Sequence, residues 1–150
     1  AGAVVLVNDR VDLALLSGAH GAHLGQDDLP LPEARRLLGP ERLLGGTVRT
    51  LDEARQAQLA GADHAGYGPI FGTQTKRLDV APRGLDALEA TAAGSPLPLV
   101  AIGGLGRENV GEVARRGARW VAVVSAALGA PDIAEATRAL AAEFERGWRQ

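Results

Sequence analysis

The strongest constraint on the fold is a regular alternation of short apolar runs with helical segments. The first run, Ala3 to Val7, is continuous and β-branched, as expected of a strand buried on both faces of a parallel sheet. Each run is followed, after a few turn residues, by a segment with helical periodicity. Strands are predicted at about 3–7, 22–24, 43–48, 64–68, 97–102 and 120–124, and helices at about 11–16, 33–38, 51–59, 85–93, 109–116 and 133–144.

This alternation predicts an α/β fold of parallel strands with helical crossovers. We expect the 150 residues to form one domain, 1–150. Two architectures fit: a doubly wound open sheet, or a (β/α)₈ barrel of which only the last six βα units are visible. No Gly-x-Gly-x-x-Gly follows a strand, which weakens the dinucleotide-binding version. Polar or glycine residues end every strand, where barrel enzymes place their chemistry, so the barrel is favoured. These strand ends are Asn8-Asp9, Gln26 to Asp28, Thr47, Thr73 to Lys76, Gly103-Gly104 and Ser125.

The composition favours a small-molecule function. The net charge is −2, the arginines are dispersed, and there are only two Trp, one Tyr and two Phe. A basic stripe with stacking aromatics, as needed for nucleic acid, is therefore not expected. The sequence has no cysteine and nothing that resembles a signal peptide or a spanning helix. We expect a cytoplasmic location and no membrane partner.

Lys76 is the only lysine among sixteen basic residues, the rest being arginine. It follows a Gly/Pro-rich loop with two threonines, Thr73 and Thr75. A compact ammonium charge in such a loop suits phosphate binding. The alternative is an ordinary surface lysine.

Asp9 and Asp28 follow consecutive predicted strands, so their carboxylates are expected near each other at one edge of the sheet. Beside Asn8, they suit a Mg²⁺ ion that keeps some waters and shares substrate phosphates. The alternative is that each aspartate caps the helix after it.

Gly103, Gly104 and Ser125 end the last two strands, where barrels often bind phosphate through backbone N–H groups. Tight strand-to-helix turns would use glycine equally well. Ser125 has no histidine in a predictable geometry, so no nucleophilic triad is indicated.

The histidines give weaker signals. His20-x-x-His23 has zinc-like spacing, but it lies at the entry to a strand without a third ligand, so zinc is disfavoured. We expect His64 to be a packed or helix-facing residue.

Several motifs together resemble the thiamine phosphate synthase family, in order and at similar spacing over essentially the whole chain. They are Val7-Asn8-Asp9-Arg10, Gly21 to Asp28, Gly68 to Lys76, Val100 to Gly104 and Val123 to Ser125. The resemblance implies a (β/α)₈ barrel enzyme, a transferase. It would join a hydroxymethylpyrimidine diphosphate to a thiazole phosphate and release pyrophosphate. In this mechanism the diphosphate leaves first and the thiazole nitrogen attacks the resulting cation, so the protein supplies charge stabilisation and positioning.

The resemblance also implies roles for individual residues. Asp9 and Asp28 would bind Mg²⁺. Asn8, Thr47 and Lys76 would hold the diphosphate, with Thr47 and Lys76 taking part in catalysis. The thiazole phosphate would be bound by Thr73, Thr75, Gly103, Gly104, Val124 and Ser125, with Ile102 lining the pocket.

The chain departs from the family pattern in places. Thr47 stands where serine is usual, and Gly72 and Gln74 stand where proline is frequent. The family's first two βα units, with a Gln-x-Arg-x-Lys motif, have no counterpart, and the chain contains no methionine. Because six units cannot close a barrel, we expect a further N-terminal segment or another chain to cover the gap.

Two other functions fit the same fold. One is thiazole tautomerase, an isomerase of the same pathway, although that relative tends to lose the Thr-x-Thr-Lys motif and the metal aspartates. The other is a non-catalytic barrel that binds a phosphate ligand. Beyond the small-molecule substrates we expect no partner except a second copy of the chain, because a homo-oligomer is compatible with the sequence.

Overall fold

The chain folds as six successive βα units in the computed structural model, which describes residues 2–72 and 80–149. The strands are β1 Leu6–Asn8, β2 Gly21–Leu24, β3 Leu43–Val48, β4 His64–Tyr67, β5 Leu99–Ile102 and β6 Trp120–Ala122. The helices are α1 Val11–Ser17, α2 Leu31–Leu38, α3 Leu51–Leu59, α4 Gly84–Gly94, α5 Val110–Arg115, α6 Ser125–Leu128 and α7 Ile133–Trp148.

The six strands of the described ranges form one parallel sheet in the order β1-β2-β3-β4-β5-β6. Each strand pairs with the next one along the chain, so the carboxyl ends of all strands lie at the same edge. This is the sheet of a half-barrel, and it confirms the predicted α/β fold. In the described residues β1 and β6 form the two edges of the sheet, so the closed eight-stranded barrel stays a prediction.

The first strand begins later than its apolar run suggests. The run starts at Ala3, whereas pairing begins with Leu6 opposite Gly21. The neighbouring strand β2 starts after a turn closed by Gly18 in the left-handed conformation (φ 67°), and His20 N, just before β2, donates to Val5 O at 2.9 Å. Val4 and Val5 precede the paired residues, at the edge of the sheet, and are exposed.

Local capping fixes the start of α3. Thr50 Oγ1 accepts a hydrogen bond from Glu53 N at 3.1 Å. Glu53 Oε2 in turn accepts from Arg49 N at 2.6 Å. Two N–H groups at the helix entry are satisfied, which holds the β3 end against α3.

The core lies between the sheet and its helices. Alternate strand residues on that side are small or aliphatic and fully buried, which lets the helices pack closely. They include Ala22, Leu24, Leu44, Ala65, Tyr67, Leu99 and Ala101. Because strand side chains alternate, the other set faces away from the helices. This second set builds the candidate site.

The side chain of Arg35, in α2, links the segments that precede β3 and β4, at the edge of the sheet opposite the candidate site. Its guanidinium donates to the carbonyls of Gly61, Gly39 and Arg42 and to Asp63 Oδ2, at 2.7 to 2.9 Å. Because these acceptors lie in the segments that lead into β3 and β4, one side chain fixes where both strands begin.

No helix in the described ranges is long and apolar enough to cross a membrane. The cytoplasmic location stays a prediction.

Candidate active site

A cavity of about 560 Å³ opens at the carboxyl edge of the sheet, on the face turned away from the helices. All six strands or the loops after them contribute to its wall. Most of the predicted site residues meet here: Asn8, Asp9, Thr47, Ile102, Gly103, Gly104, Val124 and Ser125. Residues far apart in sequence therefore surround one space of the size that small ligands occupy.

Three predicted residues, Thr73, Thr75 and Lys76, lie outside the described residues. The nearest described positions that line the cavity are Pro69 before them and Val80 after them. The roles predicted for the two threonines and the lysine stay predictions.

Asp9 stands at the rim of the cavity with an uncommon backbone. Its φ is 65°, in the left-handed region that few residues other than glycine adopt. Asp9 N donates to His23 O at 2.8 Å, and Asn8 Nδ2 donates to Asp9 Oδ1 at 2.6 Å. These two contacts fix the carboxylate beside the end of β2.

Asp28 lies in the loop after β2 and is half-buried. Its Oδ2 accepts a hydrogen bond from Gly25 N at 2.6 Å, which folds the loop back on the strand end. Asp28 does not line the cavity itself, so the structure places only Asp9 of the predicted pair directly on it.

Neither aspartate caps a helix, which was the alternative interpretation. Arg10 occupies the N-cap position of α1 and Pro30 that of α2, and neither cap has a side-chain hydrogen bond. The helix-capping explanation is therefore wrong for both aspartates, and the positions of Asp9 and Asp28 need another reason.

The donor set at these strand ends suits a hard cation. No group of three or more His, Asp or Glu side chains among the described residues could enclose a metal ion. On the cavity itself the structure places one carboxylate, Asp9, beside the amide of Asn8. Oxygen ligands of this kind are those that Mg²⁺ takes when it keeps waters and substrate oxygens rather than a full protein cage. The histidine pair does not suggest zinc, because His20 Nδ1 accepts from Val5 N at 3.0 Å while His23 faces the cavity.

Two imidazoles and a hydroxyl form a connected row across β2, β3 and β4. His23 lies opposite Gly45, and Gly45 lies opposite His64, in the register of the three strands. His23 Nδ1 is 3.4 Å from His64 Nε2, and His23 Nε2 is 3.1 Å from Thr47 Oγ1. A Cβ atom on Gly45 would lie 2.2 Å from His64 Nε2 and 2.4 Å from His23 Nδ1, so glycine makes the room for both rings.

Both imidazoles are neutral near pH 7. Burial lowers the pKa of His23 to about 4; the nearby His64 lowers it further and Asp28 opposes the change. Burial also lowers the pKa of His64, while Asp63 acts in the opposite direction. Each ring therefore has one nitrogen that donates and one that accepts.

The opposite wall of the cavity combines glycine backbone with apolar side chains. Gly103 and Gly104 have φ values of 99° and 65°, and their Cα atoms approach the loop after β4 too closely for a Cβ. These close contacts explain why glycine is needed at both positions. Beside them Ile102 and Val124 are 41% and 46% exposed, which provides an apolar surface facing the cavity.

Comparison with known proteins identifies the family. A family model described as thiamine monophosphate synthase matches residues 1–127. The chain belongs to this family.

Individual relatives agree with the family match. The chain is 60% identical over 145 residues to a thiamine-phosphate synthase of Anaeromyxobacter dehalogenans, covering 97% of this chain and 65% of that protein. It is 53% identical over 146 residues to the thiamine-phosphate synthase of Myxococcus xanthus, covering 97% and 67%. A solved structure, thiamine phosphate pyrophosphorylase from Pyrococcus furiosus, superposes with a TM-score of 0.88 at 37% identity, covering 97% and 69%. The chain thus spans about two thirds of the length of these family members.

Among the polar side chains that line the cavity, sequence reasoning missed three: His23, His64 and Arg49. His23 was weighed as a zinc ligand and lies in the family-like motif Gly21 to Asp28, but it was given no site role, and His64 was expected to be packed or to face the helices. His64 does pack against another side chain, but that side chain is His23 on the cavity face. Strand alternation would have found it, since His64 is two residues before Gly66 and four before Gly68, both at the cavity.

Proposed function

We propose that the whole protein is a thiamine phosphate synthase. It would join 4-amino-2-methyl-5-hydroxymethylpyrimidine diphosphate to 4-methyl-5-(2-phosphoethyl)thiazole and release pyrophosphate. The observation that carries the proposal is the convergence of polar strand ends on one cavity, in a chain of this family. The thiazole tautomerase alternative is not favoured, because the named relatives are synthases and Asp9, Asp28 and the Thr-x-Thr-Lys sequence are all present.

The polar side of the cavity would hold the diphosphate. Asn8 and Thr47 line it, and Lys76 would add an ammonium charge. Asp9 and Asp28 would hold Mg²⁺, which when bound supplies positive charge to the diphosphate oxygens. The contact from Asn8 Nδ2 to Asp9 Oδ1 supports this role, because it keeps an amide and a carboxylate together at the rim.

The glycine and apolar side would hold the thiazole phosphate. Gly103, Gly104 and Ser125 would surround its phosphate, and Thr73 and Thr75 would contact the same substrate. The exposed surfaces of Ile102 and Val124 support the binding of a flat ring, since they leave apolar area for a ligand to cover.

This arrangement suits a dissociative substitution. The bond between the pyrimidine methylene carbon and the diphosphate oxygen breaks, and the electron pair leaves with pyrophosphate. The thiazole nitrogen then donates its lone pair to the methylene carbon and forms the new C–N bond. The protein needs to hold two rings in line and stabilise the leaving charge, so no protein nucleophile is required.

We further propose that the six-stranded sheet belongs to a (β/α)₈ barrel, closed by further βα units or by a second chain. The sheet edges support this, since Val4 and Val5 near β1 and Trp120 of β6 are about half exposed or more. An unpaired parallel edge with apolar side chains is rarely left uncovered.

The test is the rate of pyrophosphate release by the whole protein, given both substrates, with and without Mg²⁺. Lys76→Ala is compared with Arg77→Ala, which removes a neighbouring positive charge. We expect release that needs Mg²⁺ and both substrates and that falls at least about a hundredfold in Lys76→Ala but only a few-fold in Arg77→Ala. Absence of pyrophosphate under every condition would overturn the proposed function. Equal losses in the two variants would overturn the role of Lys76.

A further inference from the structure

Only two arrangements of the protons let the row formed by His64, His23 and Thr47 make both of its hydrogen bonds. If His64 Nε2–H donates to His23 Nδ1, then His23 carries its proton on Nε2 and donates to Thr47 Oγ1. The hydroxyl proton of Thr47 is then free to point into the cavity. In the reverse arrangement His23 Nε2 accepts from Thr47, and the hydroxyl proton is used inside the protein.

The first arrangement is favoured by simple imidazole chemistry. Neutral imidazole side chains in water prefer the form protonated on Nε2. The first arrangement has Nε2–H on both rings, whereas the reverse needs Nδ1–H on both His23 and His64. The cavity side of Thr47 also favours it, because a diphosphate oxygen there can accept a hydrogen bond but cannot donate one.

We propose that His64 is a positioning residue that, through His23, keeps the hydroxyl of Thr47 as a hydrogen-bond donor to an anion in the cavity. The inference rests on the proposed function for the statement that this anion is a diphosphate. It does not require His64 to touch the substrate.

The packing makes the position of the His23 ring depend on His64. Gly45 leaves the space that the two rings fill, and Gly66 leaves space on the other side of His23, where a Cβ would lie 2.8 Å from His23 Cε1. The ring centroids of His23 and His64 are 5.5 Å apart with 29° between the ring planes. A change at His64 therefore changes what holds the His23 ring.

The first experiment reads the tautomers directly. The whole protein is labelled with ¹⁵N-histidine, and the ring nitrogens are observed at pH 7.5, with assignments from single His→Gln variants. We expect His23 and His64 each to be protonated on Nε2. A proton on Nδ1 of His23 would overturn the inference, whatever the substrate of the enzyme is.

The second experiment measures the dissociation constant of inorganic pyrophosphate with Mg²⁺ by calorimetry in a double-mutant cycle. Thr47→Val, which keeps the shape and removes the hydroxyl, should weaken binding about tenfold or more. His64→Phe should weaken binding about fivefold in the natural background and less than twofold when Thr47 is already valine. Equal effects of His64→Phe in both backgrounds would overturn the inference, because His64 would then act independently of Thr47.

Two further variants separate positioning from folding. His64→Gln offers an amide N–H in place of Nε2–H and should bind pyrophosphate within about twofold of the natural protein. His20→Gln changes a histidine outside the row and should leave binding unchanged. If the natural protein binds no pyrophosphate while the tautomers are as expected, the identification of the anion as a diphosphate fails and the positioning contact stands. If His64→Gln is as weak as His64→Phe although both are folded by circular dichroism, the inference fails.

Discussion

Arg35 is expected to be the most important single polar side chain for stability in the described part of the chain. Its side chain is 21% exposed, and its guanidinium donates five hydrogen bonds to four acceptors. Replacing it with alanine leaves the carbonyls of Gly61, Gly39 and Arg42 without this partner and removes the ion pair with Asp63.

The size of the loss follows from these contacts. Hydrogen bonds from a charged donor contribute about 1.5–3 kcal/mol each, but water reaches part of this site and replaces some of them. We therefore expect Arg35→Ala to lower the free energy of unfolding by about 2–4 kcal/mol, and Tm by about 5–15 °C. Arg35→Lys, which keeps the charge but loses the planar fork, should recover about half of the loss.

Arg36 is the matched control. It is the next residue of α2, its side chain is 73% exposed, and it pairs only with Glu33 in the described contacts. Because such surface pairs contribute little, Arg36→Ala should change the unfolding free energy by less than about 0.5 kcal/mol. Urea unfolding of the three variants, followed by circular dichroism, checks the order. A loss for Arg35→Ala no larger than that for Arg36→Ala would show that the hydrogen bonds of Arg35 do not stabilise the fold.

Three other predictions concern the site. Gly45→Ala places a Cβ within 2.4 Å of both imidazoles, so it should lower the free energy of unfolding, measured in urea, by about 1–3 kcal/mol. It should also shift the ring NMR signals of His23 and His64. Unchanged signals would contradict the packing of the two rings around Gly45. Because the folded-state pKa of His23 is about 4, below its ordinary value, the unfolded state binds more protons between pH 6.5 and 4. The free energy of unfolding should therefore decrease as the pH is lowered through that window, and this group should account for at most about 3 kcal/mol of the decrease. In His23→Gln the urea midpoint should decrease less over the same pH range than in the natural protein. Asp9→Asn should weaken Mg²⁺-dependent pyrophosphate binding about tenfold or more by calorimetry, whereas Asp12→Asn, at an exposed ion pair, should not.

The positions of Asn8, Asp9 and Thr47 at the cavity could be predicted from the sequence. Apolar runs mark the strands, and parallel connections bring the polar residues after each strand to the same edge of the sheet. This reasoning needs only the order of the elements and not their detailed packing.

The direction in which a side chain points was harder to predict from the sequence than its position along the chain. His64 was expected to be packed or to face the helices; it is packed, against His23 on the cavity face, and choosing that face from the sequence needs the register of β4 to be known to within one residue. Asp28 was placed in the correct loop, but the sequence does not show that Gly25 N would bind its Oδ2. Helix α6 was missed because four residues are too few to show helical periodicity.

A synthase that joins its two substrates in this cavity must release one pyrophosphate for each bond formed. The most direct measurement is to give the whole protein both substrates with Mg²⁺ and to quantify thiamine phosphate and pyrophosphate by chromatography, omitting each substrate in turn. We predict equal amounts of the two products and neither product when one substrate is missing. Pyrophosphate formed from the pyrimidine diphosphate alone, or conversion of the thiazole phosphate alone, would contradict it.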